Sequence, residues 1–245
     1  MQAVQTIDIP DAVAYHDSLA ADWDRRYASG GFRRRAALFE RKVLPRLALD
    51  GRRWVDVGCG SGFFARLLAR RGASVLGLDG SPAMIEAARA ARGAGGHDRL
   101  DFAVVPTVER IDLDDASVDG CLCLSVLEYV IRPERCLAEM ARITRPGGQI
   151  VISAPDRRSL LRRVQGWRLR LARGLGMVGS SYLDSSHTSW TPRELDALGE
   201  AHGLVPAIAT GFDPIVPRAL WTLCAPSLRF VLWKKPLIEQ GSRPE

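Results

Sequence analysis

The residues best suited to chemistry lie in one glycine-rich segment, Val55-Asp56-Val57-Gly58-Cys59-Gly60-Ser61-Gly62. It ends a short β-rich run and leads into an apolar helical stretch. Glycines at such a turn let the backbone approach a ligand, and the free N–H groups of a helix N-terminus attract an anion. The spacing is G-x-G-x-G, and Phe63 stands where the dinucleotide fingerprint has its third glycine. This spacing disfavours an NAD site, and the pattern alone is also compatible with a simple tight turn.

Two acids give this segment a more definite chemistry. Asp56 stands two residues before the first glycine, where a carboxylate would repel a pyrophosphate but suit a ligand that carries an ammonium group. Asp79 ends the next β-rich run, 17 residues after Gly62. An acid at the tip of the second strand can accept hydrogen bonds from both hydroxyls of a ribose. The two acids predict a nucleoside-type ligand with a cationic group.

The elements that must position these residues alternate between strand and helix from residue 52 to 155, which is typical of a parallel sheet covered on both faces. The predicted strands are Arg53–Val57, Ala73–Asp79, Leu100–Val105, Val118–Leu124 and Gln149–Ala154. The predicted helices of this region are Phe63–Arg71, Ala83–Arg92, with Ser81 as cap and Pro82 in its first turn, and one that begins at Pro133. Pro146-Gly147-Gly148 is predicted to form the turn before the fifth strand.

Composition sets the class of protein. The chain has 245 residues, 47% of them hydrophobic and 25% charged, with a net charge of +6, which is typical of a globular protein and excludes a disordered or collagen-like chain. Its five cysteines are an odd number and form no C-x-x-C pair, so a disulfide framework and a zinc knuckle are disfavoured. Neither a signal peptide nor about 18 uninterrupted apolar residues is found. We expect a cytoplasmic protein without a metal.

Four motifs in order resemble those of the class I S-adenosylmethionine-dependent methyltransferases, in particular the type 11 group that includes ubiquinone and menaquinone biosynthesis enzymes. They are VDVGCGSG (55–62), LGLDGSPAMIEAAR (76–89), DLDDASVDGCLCLSVLEYV (112–130) and RPGGQIVISAP (145–155). The resemblance implies an α/β, Rossmann-like seven-stranded sheet, mostly parallel with an antiparallel last strand and helices on both faces. It also implies S-adenosylmethionine as cofactor and S-adenosylhomocysteine as product.

The same resemblance divides a single methyltransferase domain into parts. Residues 1–51 read as a helical lid, 52–155 as the cofactor-binding core, 156–203 as a helical cap after strand 5, and 204–236 as a terminal strand hairpin. In the cap, Thr191 and Glu194 form a capping box before the helix Leu195–His202. The hairpin is expected from the apolar runs Leu204–Phe212 and Ser227–Lys235.

Cofactor-binding residues are assigned by matching this sequence to the family motifs. The glycines would line the methionine moiety, Asp56 would lie near its amino group, and Asp79 would hold the ribose. Thr107 departs from the pattern, because many relatives have an aspartate there that contacts the adenine amine. The implied set is Asp56, Gly58, Cys59, Gly60, Gly62, Asp79, Gly80, Met84, Thr107, Val108 and Ser125.

The acceptor side is less defined. In-line methyl transfer from a sulfonium chiefly requires alignment of the nucleophile, and a base is needed if that nucleophile is a hydroxyl. His187, on a polar loop before a capped helix, is the predicted base, with a purely structural loop role as the alternative. Tyr27, in the lid, is predicted to orient the acceptor. The apolar loop Pro214–Pro226 would line a hydrophobic cavity or pack in the core.

The resemblance implies methyl transfer, and the acceptor-side residues favour a small, aromatic or otherwise hydrophobic acceptor, with oxygen as the favoured atom. The alternatives are an N- or C-methyltransferase of a lipid, quinone or secondary-metabolite precursor, and a non-catalytic cofactor-binding module. A nucleic-acid partner is disfavoured, because Ser125-Val126-Leu127-Glu128 stands where base-amino methyltransferases carry an Asn/Asp-Pro-Pro-Tyr type motif. The oligomeric state is left open.

A basic stretch from Ser159 to about Arg173 is predicted to be helical. Leu160, Val164, Trp167 and Leu171 fall within a narrow arc, while seven arginines and no acid lie between residues 157 and 173. Such a helix can pack its apolar stripe on the domain as a lid over the acceptor. The alternative is weak, salt-sensitive association with an anionic membrane, with Trp167 at the interface.

Overall fold

The computed structural model describes residues 10–92, 99–174 and 186–237. These residues form a seven-stranded sheet in the order β3-β2-β1-β4-β5-β7-β6. The strands are β1 Arg53–Val57, β2 Ser74–Asp79, β3 Leu100–Val104, β4 Val118–Leu124, β5 Thr144–Pro155, β6 Val205–Phe212 and β7 Leu228–Lys234. Neighbours pair in parallel except at β7, which is antiparallel to both β5 and β6. The predicted Rossmann-like sheet with its antiparallel last strand is confirmed.

The α-helices of the described residues lie before and between the strands in chain order. They are α1 Pro10–Asp17, α2 Gly30–Lys42, α3 Phe63–Ala69, α4 Pro82–Ala91, α5 Pro133–Ile143, α6 Leu160–Gly174 and α7 Pro192–Glu200. The Ser81 hydroxyl accepts from the Met84 N–H at the start of α4, and Thr191 and Glu194 form the predicted capping box of α7. Helix starts of this kind are local, which explains why the sequence reveals them.

Apolar side chains cover both faces of the sheet. On one face, Phe39 of α2, Phe64 of α3 and Ala88 of α4 belong to a single buried cluster. On the other, Leu137 of α5 and Leu195 of α7 belong to a second cluster. Because the central strands are buried on both faces, their sequences are nearly continuous apolar runs.

The predicted turn at Pro146-Gly147-Gly148 is wrong, because β5 already begins at Thr144. The pairing of β4 with β5 shifts between Val118 and Gly120, so that the β5 partner advances from Thr144 to Gln149. A Cβ on Gly148 would lie 2.7 Å from the Asp119 carbonyl oxygen. The glycine thus permits a close approach within an irregular strand pair, a role that it shares with glycines in bulges.

The N-terminal segment is less uniformly helical than predicted. Helix α1 ends at Asp17, and 3₁₀ turns at Ala20–Asp22 and Asp24–Ala28 precede α2. The predicted helical lid is therefore interrupted by these 3₁₀ turns between α1 and α2. Residues 1–9 lie outside the described part of the chain.

Helix α6 forms where predicted, but its apolar stripe does not pack on the domain. Leu160, Val164, Trp167 and Leu171 are each 45% to 61% exposed. In the described part of the chain, α6 contributes no residue to either buried cluster. The interpretation as a packed lid is therefore wrong, because helical periodicity specifies a shared face but not a partner for it. None of the described helices is long and apolar enough to cross a membrane.

Candidate active site

A large cavity opens at the carboxyl ends of β1, β2, β3 and β4. Its volume is about 1550 Å³, compared with roughly 300–1,000 Å³ for a pocket that holds one drug-sized ligand. It lies where the strand order reverses, between β1 and β4, which is the usual binding position in open α/β sheets. The cavity therefore has room for two molecules side by side.

The cavity brings together twelve of the thirteen residues that the sequence predicts for the site. They are Tyr27, Asp56, Gly58, Cys59, Gly60, Asp79, Gly80, Met84, Thr107, Val108, Ser125 and His187. Gly62 is the exception. It stands one residue before α3, and a Cβ there would point at the Phe102 ring, which belongs to the buried core and not to the cavity lining.

The glycine-rich loop is fixed to the neighbouring strand by hydrogen bonds. The N–H groups of Gly58 and Cys59 donate to the Leu78 carbonyl, at 2.7 and 2.9 Å. The Gly60 N–H donates to Asp79 Oδ2 at 2.8 Å. The loop between β1 and α3 is thus held against the tip of β2, and its conformation depends on Asp79.

Asp79 is placed as a ribose ligand requires. Its other oxygen, Oδ1, accepts from the Ser81 N–H at 2.9 Å. Burial raises the pKa of this carboxyl, and the bonds from Ser81 and Gly60 oppose that rise. Because a carboxylate has about four acceptor positions, two remain for the hydroxyls of a ligand.

Asp56 fits the predicted ammonium group. Its carboxyl is buried, 3% exposed, and accepts from the Ala65 N–H of α3. Burial, and then the nearby Asp79, raise its pKa to about 8. A cation beside a carboxyl favours its ionised form. The two acids and the glycine loop therefore fit a nucleoside that carries an ammonium group.

The remaining predicted cofactor residues complete this half of the cavity. Met84 of α4 is buried at its floor. The Thr107 hydroxyl accepts from the Glu109 N–H at 3.0 Å, which leaves a second lone pair for a ligand. Burial raises the pKa of the Cys59 thiol well above its ordinary value, so this cysteine packs rather than reacts.

The N-terminal segment covers the glycine loop through contacts that the sequence does not reveal. Asp17 accepts from the Ser81 hydroxyl. Asp24 accepts from the Ser61 hydroxyl and, at 2.5 Å, from Arg66. Asp17 thus contacts the start of α4, and Asp24 contacts the first part of α3 and the loop before it.

Tyr27 lies in an aromatic wall of the cavity. Its ring stacks on Phe63, with ring centroids 4.0 Å apart, and its hydroxyl accepts from Arg35 Nη2 at 3.4 Å. Burial raises the pKa of the phenol. The residue packs and holds Arg35, and its catalytic role stays a prediction.

The half of the cavity beyond β4 contains polar groups that the sequence analysis missed. Arg35 Nη1 donates to Ser125 Oγ at 2.9 Å, and Glu128 is buried in the same wall. A signal for Glu128 exists, since it is an acid within the apolar run from 124 to 130. His187 lies at the rim: its side chain is exposed, and its backbone N–H donates to the Glu128 carbonyl at 2.8 Å. Its role as a base stays a prediction.

Known proteins resemble this chain in sequence and in fold. A family model described as a methyltransferase domain matches residues 55–152. An uncharacterized methyltransferase of Mycobacterium sp. (strain JLS) is 34% identical over 202 residues, covering 78% of this chain and 77% of that protein. A ubiquinone biosynthesis O-methyltransferase of Alkalilimnicola ehrlichii is 37% identical over 109 residues. The matched part is 44% of this chain and 44% of that relative, so the chain spans less than half the length of that protein.

One solved structure has the same architecture. The magnesium protoporphyrin IX methyltransferase of Synechocystis PCC 6803, with bound S-adenosylhomocysteine, matches with a TM-score of 0.66 at 18% identity. The match covers 90% of this chain and 96% of that protein, and at this identity it shows the fold alone. The sequence relationships and the cavity that fits an ammonium-bearing nucleoside lead to one assignment. This chain belongs to the S-adenosylmethionine-dependent methyltransferases.

Proposed function

We propose that this methyltransferase transfers a methyl group to the hydroxyl of a small aromatic or hydrophobic acceptor. The observation that carries the proposal is the second half of the cavity, beyond β4. Its lining combines apolar and aromatic side chains with a few polar groups, which is typical of a site for a small organic molecule. The apolar residues that line the cavity include Phe32, Phe64, Phe212 and Leu228.

Each half of the cavity has its own task. Asp56, Asp79 and the glycine loop would hold the cofactor, which supplies an electrophilic methyl group when bound. The aromatic wall, with Tyr27 and Phe32, would exclude water and align the acceptor, and alignment can supply about 7–11 kcal/mol of the barrier. The convergent polar groups, Arg35 and Glu128, favour oxygen, because a hydroxyl must lose a proton while a neutral amine need not. The name of the Alkalilimnicola relative also specifies O-methylation.

A labelled-methyl assay tests the acceptor class. The purified chain is incubated with tritiated S-adenosylmethionine and with 2-naphthol, its methyl ether, 2-naphthylamine, anionic lipid and RNA. We expect label on 2-naphthol, located on oxygen by mass spectrometry, and none on the ether, in which the hydroxyl is blocked. Label on the amine alone would support N-methylation, and label on RNA alone would contradict the proposal of a small acceptor.

The exposed face of α6 supports a second proposal, that the enzyme associates weakly with anionic membranes. An amphipathic helix with a tryptophan in its apolar stripe and arginines beside it is typical of an interfacial helix. Arg162 of α6 lines the cavity, so the helix borders the acceptor site. Each basic residue near an anionic surface can add about 1 kcal/mol of attraction. Association would bring an apolar acceptor to the cavity.

We expect Val164→Asp to weaken binding to anionic vesicles roughly tenfold, because it removes about 1.5 kcal/mol of apolar burial and adds a repelled charge. Sedimentation with phosphatidylglycerol and phosphatidylcholine vesicles at low and high salt measures this. Val205→Asp on β6 is the matched control, since the two valines are 52% and 53% exposed. Equal loss in both variants, or no binding of the unmodified enzyme to anionic vesicles at low salt, would contradict the proposal.

A further inference from the structure

Glu128 is a buried acid without a structural explanation. It follows β4 in the 3₁₀ turn Leu127–Tyr129, is 3% exposed and lines the cavity. Its carboxyl accepts from its own backbone N–H. Within the described residues its second oxygen, Oε2, is buried and has no hydrogen-bond partner. An unsatisfied buried acceptor is costly to folding, so a functional partner has to be considered.

Arg35, which lines the same cavity, carries a buried hydrogen-bond donor that also lacks a partner in the described part of the chain. Arg35 Nε is buried, and no described residue is its partner. The other two nitrogens of the guanidinium are engaged, Nη1 with Ser125 Oγ at 2.9 Å and Nη2 with the Tyr27 hydroxyl at 3.4 Å. These contacts fix the orientation of the group. One unpaired acceptor and one unpaired cationic donor therefore belong to residues that line the same cavity.

We propose that Glu128 is the general base that removes the proton from the acceptor hydroxyl, and that Arg35 stabilises the negative charge that develops on the oxygen. The assignment rests on the proposed O-methylation. In this assignment the acceptor hydroxyl donates to Glu128 Oε2 and accepts from Arg35 Nε at the same oxygen. Both unpaired groups then gain a partner from a single ligand atom.

The proton and electron balance is complete with the established co-substrate. The acceptor O–H bond breaks and its proton moves to Glu128 Oε2. The oxygen electron pair forms the new bond to the methyl carbon, while the carbon–sulfur bond breaks and its pair stays on sulfur. Glu128 then releases the proton to solvent, so the products are the methyl ether, S-adenosylhomocysteine and one proton.

The surroundings of Glu128 suit a base at neutral pH. Burial raises the pKa of Glu128 to about 7, and the charges of Arg162 and Arg35 oppose the rise. The titratable and charged groups that face it are Arg35 from α2, Arg162 from α6 and the Cys123 thiol from β4. General-base catalysis is most efficient when the pKa of the base is near the working pH. Activity should therefore rise with pH through about 7.

His187 is the rival base from the sequence. Its side chain is exposed at the rim, whereas the Glu128 carboxyl is buried in the wall. The backbone of His187 supports the turn that carries Glu128, through its bond to the Glu128 carbonyl. The dependence of kcat on pH separates the two residues. Replacing the residue that acts as the base removes the rise in kcat near pH 7, whereas replacing the other leaves this rise in place.

The test compares Glu128→Gln, His187→Ala and Glu139→Gln in the full chain, with 2-naphthol as the acceptor. Glu139 is the matched control, since it is bonded to Arg142 on α5 and does not line the cavity. We expect Glu128→Gln to lower kcat by roughly 10²–10⁴-fold and to abolish the rise of kcat with pH near 7. Its affinity for S-adenosylhomocysteine should stay within about twofold of that of the unmodified chain. The assignment would be overturned if Glu128→Gln transferred methyl groups at a normal rate, or if the rise of kcat with pH near 7 disappeared in His187→Ala alone.

A second readout does not need turnover. A carboxyl whose folded pKa is raised above its unfolded value stabilises the protein below the unfolded pKa, and this stabilisation is lost as pH rises through the folded value. Between pH 5 and pH 8 the unfolding equilibrium constant of the unmodified chain should therefore rise roughly 10²-fold relative to Glu128→Gln. A ratio that does not change with pH would overturn the assignment. If the unmodified chain methylates no hydroxyl, the proposed function fails and this assignment with it, whereas equal transfer by both proteins overturns the assignment alone.

Discussion

Replacing Gly62 by alanine should lower the free energy of unfolding by about 2–5 kcal/mol. Gly62 has φ +75°, in the left-handed region that costs other residues roughly 1–2 kcal/mol. A Cβ there would lie 2.5 Å from Phe102 Cζ and 3.2 Å from Ala88 Cβ, both in the buried core. Because the core is close-packed, overpacking adds about 1–3 kcal/mol. Urea denaturation followed by tryptophan fluorescence measures the change.

Gly60→Ala is the matched control for this prediction. Gly60 also has a positive φ, +53°, but the nearest atom to a new Cβ is Trp23 Nε1 at 3.4 Å, in the segment that covers the loop. We therefore expect a loss of only about 1–2 kcal/mol from the backbone, with a marked fall in affinity for S-adenosylhomocysteine, because this Cβ points into the cavity. Equal destabilisation by the two substitutions would show that the Phe102 contact is not decisive.

The comparison of these two glycines shows which part of the site the sequence can predict. The G-x-G-x-G spacing and the acid after the next strand specify a strand–turn–helix unit and its ligand class, because both depend on short-range geometry. The division of labour among the glycines does not follow from spacing. Gly62 is needed for packing against Phe102, a residue 40 positions later in the chain whose ring the sheet brings beneath the loop.

Tertiary pairing also explains the errors in the predicted fold. Pro146-Gly147-Gly148 has the composition of a turn, yet it lies within β5, between two residues that pair with β4, and its backbone is bonded to Lys235, just after the end of β7. Helical periodicity placed Trp167 and its neighbours on one face, but what covers a face is decided by elements distant in sequence. Arg35 and Glu128 were missed for the same reason, since burial without a partner is a property of the folded wall.

Asp79→Ala should weaken binding of S-adenosylhomocysteine by about 1.5–3 kcal/mol, the usual contribution of hydrogen bonds to a charged group. Two losses combine in this value. The ligand loses an acceptor at the strand tip, and the N–H groups of Gly60 and Ser81 lose theirs, so the loop is held less firmly. Asp79→Asn separates the two, because its amide oxygen still accepts one backbone bond while the charge is gone.

Titration calorimetry with S-adenosylhomocysteine measures the three proteins, and circular dichroism establishes that each variant is folded. Asp101→Ala is the control, because this acid lies on the adjacent strand β3, is largely exposed and does not line the cavity. We expect the affinities to fall in the order unmodified, Asp79→Asn, Asp79→Ala, with Asp101→Ala equal to the unmodified chain. If Asp79→Asn binds as tightly as the unmodified chain while Asp79→Ala does not, Asp79 acts by supporting the loop. Unchanged affinity in both folded variants would exclude Asp79 from the ribose site and transfer that role to another group along the edge between β2 and β3.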